Sequence, residues 1–501
     1  MSLSNSVTVT ITSHHTDISD NYISKEDLEL LCHSENIYIA QPVGSADSAN
    51  ASNASTCAKG ADNASTGVCV APSTGVNGVS PSICLGMIVK NESRIILETL
   101  RQLTSYINFG YWVINDNGST DGTQDIIRNF FKEKGIPGEL DETKWRDFGY
   151  NRTVVFDRAY KKTDYIFIWD ADDEIKGDFV FPRPELLVYD SYSFQFGSDS
   201  GFRWSRYQLF NNHLHWRYVG VLHEYPECCE VPKKIVSSHT VKGDYYFVGR
   251  TIGSRNDDVD KYKKDAILLE KAFKEAYEKG DDICNRYAFY TAQSYKDCGM
   301  NEKSIEFYKK VLTLGNWAQE KYVSCLEIHT LYERLGEEEK SFYYLLDAYN
   351  YDTRRIECIY RLVKYYCKKK MSKVSNAFYT LIKNYYENEY VNDSDASTTF
   401  LFMRKEEYDF YLPYYMIIVS ERLKDYDTFA KMYEIIFTQK YMKAGNWWID
   451  NLYYNIQFGI DHLPKTNEFL QKMISFVKSY DENIENISHI HNAITKISAC
   501  V

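Results

Sequence analysis

Residues 164–174 read DYIFIWDADDE, an apolar run that drives into four acidic residues within five positions. A run of large apolar side chains with no polar alternation is the pattern of a strand buried on both faces, as in a parallel sheet. Like charges packed as closely as Asp170, Asp172, Asp173 and Glu174 repel one another. They are therefore either a solvated strand end or a group with something to hold. In open α/β sheets, ligands bind beyond the carboxyl ends of the strands, and these acids sit at one. If the strand persists through them, Asp170 and Asp172 share a side. Two such carboxylates beside a bound diphosphate suit a hard divalent cation, Mg²⁺ or Mn²⁺, which would relieve their repulsion.

The sequence on either side agrees with a parallel sheet. ICLGMIV (83–89) and YWVIND (111–116) are further continuous apolar runs. ESRIILETLRQLTSY (92–106) has helical spacing, and STDGTQDIIRNFFKEKG (119–135) opens on capping residues and closes on glycine, as a helix does. RTVVFDRAYKK (152–162) is another helix candidate. Strand alternating with helix predicts an α/β domain with a largely parallel sheet. SYSFQFGS and RYQLFNN add strands expected to be antiparallel.

From about residue 258 the chain reads as helical to its end. Ala288, Ala292, Tyr295, Gly299, Ser304, Tyr308 and Val311 fall where tetratricopeptide helix pairs place small and aromatic packing residues. A 37-residue shift gives Cys325, His329, Tyr332, Gly336, Ser341, Leu345 and Ala348, a degenerate second copy. Stacked helical hairpins are expected, with a nonrepetitive bundle as the alternative. Before the α/β region, 46–82 is rich in Ala, Ser, Asn, Gly and Thr, a linker composition. The expected domains are an N-terminal segment 1–45 with a strand (VTVTITS) and a short helix (SKEDLELLCH), the linker 46–82, an α/β domain 83–257 and a helical domain 258–501.

Composition narrows the function. A net charge of −12 disfavours a nucleic-acid partner. No run of about 18 apolar residues predicts a transmembrane helix. The N-terminus lacks a charged then apolar leader, and the twelve cysteines follow no metal-ligand spacing, so a cytoplasmic protein with reduced thiols is expected.

VINDNGSTDGT (113–123) is the second chemical signal. A strand ends in Asp116, and a Gly/Ser turn leads into a helix. A carboxylate there can accept the imide N–H of a uracil or thymine ring, and the helix N-terminus is an anion site. The plainer alternative is capping by Ser119 and Asp121.

These pieces, in this order, resemble the inverting glycosyltransferases of family 2, with the Rossmann-like GT-A nucleotide-sugar-binding fold. GMIVKNES resembles the first strand and loop of that family and puts Val89, Asn91 and Glu92 among the donor contacts. VINDNGSTDGT resembles the nucleoside-binding turn, with Asp116 at the expected acid and Asn117 where a second acid is common. NRTVVFDRAYKKTDYIFIWDADD matches the block with the donor-contacting arginine, Arg152, although Thr153 replaces the usual asparagine. Asp170, Ala171 and Asp172 fall on the metal and diphosphate motif. HWRYVGVLHEYPE (215–227) resembles a segment of the subgroup fused to tetratricopeptide-like helices, and the likeness runs over roughly 83–440.

The resemblance implies an inverting, metal-dependent transferase using a nucleoside-diphosphate sugar, UDP-linked, with Mn²⁺ or Mg²⁺ as cofactor. The acceptor, whether protein, glycan or small molecule, is left open. An inverting transfer needs a base, and Glu224 stands at that position, with His223 as the alternative base or metal ligand. His239 would complete the metal or diphosphate site, or is an ordinary loop histidine. Arg203, Arg206 and Arg250 would stabilise the leaving diphosphate, Arg206 foremost. Trp216 would stack on a sugar or belong to the core. The helical half would present the acceptor or mediate self-association. Two rival functions are a helical-repeat interaction scaffold carrying an inactive transferase-like domain, and a nucleotidyltransferase. VKNESR is not the Gly/Arg-rich, lysine-bearing loop of the latter.

Overall fold

The structure, a computed structural model, describes residues 80–197, 203–230, 236–392, 400–438, 445–479 and 488–501. The expected strand and helix of 1–45, and the linker up to residue 79, lie outside the described residues. Two compact units are formed. One holds the described residues up to Ser324 together with residues 400–403; the other holds 325–392 and the described residues from Arg404 onward.

The first unit is built on a nine-stranded sheet. Its strands are β1 (Ile83–Val89), β2 (Tyr111–Asp116), β3 (Gly138–Asp141), β4 (Tyr165–Ile168), β5 (Asp173–Gly177), β6 (Ser191–Gly197), β7 (Arg203–Asn211), β10 (Ser238–Val241) and β11 (Tyr245–Gly249). They run in the order β3-β2-β1-β4-β7-β6-β11-β5, with β10 also on β6. β1 to β4 are mutually parallel, and β7 is antiparallel to both β4 and β6, as expected from the sequence. β8 (Trp216–Val219) and β9 (Tyr225–Cys228) form a separate hairpin.

The helices α1 (Ile96–Tyr106) and α2 (Thr123–Lys134) cover one face, and α3 (Phe148–Ala159) covers the other. Strand alternation distributes β1 between them. Leu85, Met87 and Val89 pack with Leu100, Ile127 and Phe131, whereas Cys84 packs with Val155 and Phe156. Burial on both faces is why β1 and β2 read as unbroken apolar runs. Gly86 lets α3 come close: a Cβ there would lie 2.7 Å from Ile168 and 2.9 Å from Val155.

Helix starts differ from the sequence reading for local reasons. Residues 92–95 form a turn in which the Ile95 and Ile96 amides donate to the Glu92 carbonyl. α2 begins only at Thr123, because Gly122 before it is left-handed at φ 91°. α3 begins four residues before Arg152, where the Asp147 side chain accepts from the Tyr150 amide. β4 ends at Ile168, and Asp170 to Asp173 form a turn closed by the Asp173 amide on the Asp170 carbonyl (3.1 Å). Asp170 and Asp172 are thus not alternate members of one strand.

The rest of this unit includes α4 (Lys261–Lys279), α5 (Ile283–Asp297) and α6 (Asn301–Leu314). Ala288, Ala292, Tyr295, Ser304, Tyr308 and Val311 are all buried, and the Ser304 hydroxyl donates to the Ala292 carbonyl (2.7 Å) between the paired helices. The division between the units falls within the helix Ala318–Arg334. The second unit is helical throughout its described residues. Cys325, His329, Ser341, Leu345 and Ala348 are buried there, and Tyr332 partly so. The hairpin Glu357–Lys368/Ser372–Asn388 repeats the serine contact, Ser375 donating to Val363 (2.9 Å). Among the described residues five hairpins turn on one left-handed residue: Gly280, Gly299, Gly336, Lys370 and Lys424. Two of these are lysines, so the glycine signal fades in the later repeats. Among the described residues no helix is long and apolar enough to cross a membrane.

Candidate active site

β2 delivers Asp116 to the carboxyl edge of the sheet, where it is 1% exposed. Its Oδ1 accepts from the Gly118 and Ser119 amides (3.0 and 2.8 Å) and from Gln124 Nε2 (3.1 Å). Its Oδ2 is buried and has no hydrogen-bond partner among the described residues. A buried carboxylate oxygen left unpaired is costly.

The loops after β1 and β2 are laced together around it. Asn91, left-handed at φ 56°, accepts from the Thr120 amide, and its own amide donates to Ser119 Oγ (both 2.8 Å). The Glu92 amide donates to Thr123 Oγ1 (2.9 Å), and the Asn117 amide to the Val89 carbonyl (2.9 Å). Asn117 accepts from Asn151 of α3 (2.8 Å), which also donates to Asn115 (3.0 Å). The neutral side chain at 117 is thus a link in a buried amide chain.

The turn after β4 meets two arginines. Asp170 Oδ1 accepts from Arg152 Nη2 (2.6 Å) and Oδ2 from Arg206 Nη2 (2.7 Å). Desolvation works against the ionised form, but these two guanidinium groups hold the Asp170 carboxyl well below the usual range. The next two acids go the other way. Desolvation and the charge of Asp170 raise Asp172, and push Asp173 well up. Asp173 Oδ2 is buried without a hydrogen bond, 3.7 Å from Arg206. Glu92 is pushed up to about 7 by desolvation and by Asp172, with the Ser254 amide acting in the opposite sense.

Residues 250–257 close this side. The Arg250 amide and Nε donate to the Asp172 carbonyl (3.0 and 3.2 Å). Ser254 Oγ donates to the Lys90 carbonyl (2.6 Å), and its amide to Glu92 (3.3 Å). A Cβ on Gly253 would meet Asp172 Oδ2 at 3.2 Å and Glu92 Oε1 at 3.4 Å, so both carboxylates converge on this bare backbone. The sequence reading missed Gly253 and Ser254. Their segment follows no period, and GSRNDDVDKYKKDAILLEKA resembles only the junction to the helical repeats, which gave these two residues no site role.

Arg152 also reaches a third motif: its Nε donates to Glu224 Oε1 (2.6 Å). The β8–β9 connection is locked onto α3 to make this possible. Tyr218 donates its amide to Thr153 Oγ1 (2.9 Å), which gives a function to the threonine that departs from the family pattern. Phe148 donates its amide to the Val221 carbonyl (3.1 Å). A Cβ on Gly149 would stand 2.2 Å from the Gly220 carbonyl oxygen. Gly149→Ala is therefore expected to cost about 1–3 kcal/mol, as overpacking does. Urea unfolding would measure it, and an unchanged midpoint would refute the close approach.

His223 faces the helical side. It is left-handed at φ 55°, its ring stacks on Tyr290 of α5 (3.9 Å, 11°), and its carbonyl accepts from Arg286 Nε (2.8 Å). Desolvation, followed by Arg286, Arg255 and Lys261, lowers its pKa to about 4, so the ring is neutral at pH 7. Val221 donates its amide to the Tyr287 hydroxyl (3.1 Å).

Other candidates fall elsewhere. His239, on β10, pairs with Tyr192 and stacks on Tyr189 (5.2 Å). The Tyr189 carbonyl receives the Tyr165 hydroxyl at the amino end of β4. Three strand spacings, about 14 Å, separate β10 from β4, and the acids lie at the other end of β4. His239 is therefore not part of the acidic cluster. Trp216 is a core residue, its indole donating to the Asn211 carbonyl (2.9 Å). Arg203 lies over the Tyr246 ring. Ala171 is buried, and its carbonyl accepts from Thr99 of α1 (2.6 Å), which anchors the turn. Among the described residues no group of three or more His, Cys, Asp or Glu side chains is arranged to hold a metal ion.

The family model described as glycosyl transferase family 2 matches residues 84–213, the span from β1 to just past β7. No curated protein matches the chain. Similar solved structures include residues 1–349 of Staphylococcus aureus TarS in complex with UDP-GlcNAc (12% identity, 61% of this chain and 91% of that one, TM-score 0.25). Another is the mannosyltransferase PcManGT of Pyrobaculum calidifontis with GDP-Man and Mn²⁺ (14%, 54% and 75%, 0.28). A tetratricopeptide repeat protein of Parabacteroides merdae also aligns (11%, 47% and 98%, 0.24).

Proposed function

We propose, from the premise that this chain is a glycosyltransferase through the family 2 domain of residues 84–213, that it transfers a sugar with inversion from a UDP-linked donor to an acceptor hydroxyl. The observation that carries the reading is Arg152, whose guanidinium joins Asp170 of the donor motif to Glu224 of the acceptor motif. Residues separated by 18 and 72 positions along the chain thus share one charge-assisted network.

The unpaired Asp116 Oδ2 suits the N3–H of uracil, because the position offers an acceptor and no donor. Asp172 and Glu92, whose carboxylates accept no arginine hydrogen bond among the described residues, fit a divalent cation better than Asp170 does. Desolvation raises both carboxylates, with Asp170 adding to it at Asp172 and Asp172 adding to it at Glu92, and such a cation would relieve that cost. When bound, Mn²⁺ or Mg²⁺ would neutralise charge on the departing diphosphate. Asp170, with both oxygens taken, would instead orient Arg152 and Arg206. Arg206 and Arg250 would face the diphosphate as it leaves.

In the chemical step, an acceptor oxygen forms its bond to the anomeric carbon as the bond to the diphosphate breaks. The electron pair leaves with the diphosphate, and the acceptor proton passes to Glu224. Arg152 occupies Oε1, so Oε2 is the oxygen that would take it. His223 is the weaker choice: its ring is held against Tyr290, and its lowered pKa makes it a poor base.

A thermal-shift screen tests the reading. UDP should raise the unfolding temperature in the presence of Mn²⁺, by several degrees at saturation, and more than CDP or ADP. Asp172→Asn should weaken the metal-dependent part. If no nucleoside diphosphate shifts the transition at any metal concentration, the inactive-scaffold function stands instead.

A further inference from the structure

We propose that the helical repeats contribute an acceptor subsite, formed by Tyr290, Arg286 and Glu320 beside Glu224, and that its ligand is a neutral carbohydrate. The inference rests on the assignment of Glu224 as the group that meets the acceptor. All four residues belong to the same compact unit.

Glu320 begins the argument. It lies in the first turn of the helix Ala318–Arg334 and is 6% exposed, yet its carboxylate forms no hydrogen bond among the described residues. Buried carboxylates ordinarily have partners, because an unpaired one forfeits its hydration. Desolvation pushes Glu320 up to about 7, and Arg286 is the cation opposing that rise. The helix N-terminus also favours the ionised form. The result is a largely buried side chain whose two carboxylate oxygens accept no hydrogen bond among the described residues.

Tyr290 reaches the transfer centre through His223, the neighbour of Glu224. His223 stacks on its ring, and Arg286 lies over it at 4.9 Å. With the ring covered, its hydroxyl edge remains, and that hydroxyl has no hydrogen-bond partner among the described residues. Both Glu320 and Glu224 act electrostatically on the Tyr290 phenol, which places the ring within the field of each. Arg286 is fixed in turn by the His223 carbonyl and by the Tyr225 ring (5.4 Å).

The chemistry of the ligand follows from this set. A carboxylate and a phenol, both unpaired, recognise several hydroxyl groups at once. Arg286 already supplies the positive charge that Glu320 faces, so a cationic amine would be repelled from it. A sugar carries several neutral hydroxyls on one rigid ring, and one of them could point to Glu224. In this arrangement Tyr290 and Glu320 are positioning and specificity residues; they do not take the proton.

Direct binding tests the subsite. A panel of neutral p-nitrophenyl glycosides, one amino-sugar glycoside and a serine/threonine peptide would be titrated into the full chain with UDP and Mn²⁺ present. At least one neutral glycoside should bind. Glu320→Gln and Tyr290→Phe, both near-isosteric, should each weaken it about tenfold or more, the worth of a hydrogen bond involving a charged group. Circular-dichroism melting verifies that both variants are folded. Binding of the peptide or the amino sugar alone, binding of no glycoside, or wild-type affinity in both variants overturns the proposal. A glycoside that binds through these residues but accepts sugar from no nucleotide donor refutes the transferase function and leaves the subsite standing.

Discussion

Replacing Glu224 by glutamine is expected to lower sugar transfer roughly 100- to 10,000-fold, the usual contribution of a positioned general base. The change keeps the shape of the side chain and its ability to accept a hydrogen bond from Arg152, but removes the basic oxygen. Donor affinity should therefore stay near the wild-type value. Initial rates at saturating donor, paired with UDP titration in Mn²⁺, separate the two effects. A variant that transfers at the normal rate would remove Glu224 from the chemistry. One that loses UDP binding as well would make it a donor ligand. The second outcome is a real alternative, because Arg152 couples Glu224 directly to Asp170 on the donor side.

Arg152→Met is expected to cost about 3–5 kcal/mol of stability, as breaking a buried ion pair from one side does. Arg152 is 8% exposed, and its loss leaves Asp170 dependent on Arg206 alone and Glu224 without its cation. The charge balance of the turn is already delicate, since Asp172 and Asp173 are raised by desolvation and by Asp170. Chemical denaturation would measure the loss. Activity should disappear even under conditions where the variant stays folded. Arg152→Lys should recover part of the stability but not the transfer rate, because a point-like ammonium cannot span two carboxylates as the guanidinium fork does. Equal stability of the methionine variant and the wild type would mean that the network contributes nothing net.

The sheet was legible in the sequence where burial on both faces left no polar alternation. β1 and β2 begin and end where their apolar runs do. Helix starts were less legible, because the residues just before α1 and α2 hydrogen-bond across to each other's loops. Ser93, for example, donates its amide to Asp121. The first two repeat turns could be read from Gly299 and Gly336. The later ones could not, since Lys370 and Lys424 adopt the same left-handed geometry without a glycine to announce it.

By itself, the sequence determined the layered α/β domain, the helical hairpins after it, and the residue types gathered at the strand ends. Strand burial and helical spacing are properties of neighbours in the chain, so they are written locally. Tertiary structure decided which of those residues meet. It brought Arg152, Asp170, Arg206 and Glu224 into one hydrogen-bonded set, and it left His239 on β10, three strand spacings from β4. It also stacked Tyr290, from a helix that reads as a packing element, on His223 of the β8–β9 connection. The physical reason is the same in each case. A hydrogen bond or an ion pair depends on distance in space, and chain positions 72 residues apart reach 2.6 Å only when the sheet, α3 and the β8–β9 connection have closed around them.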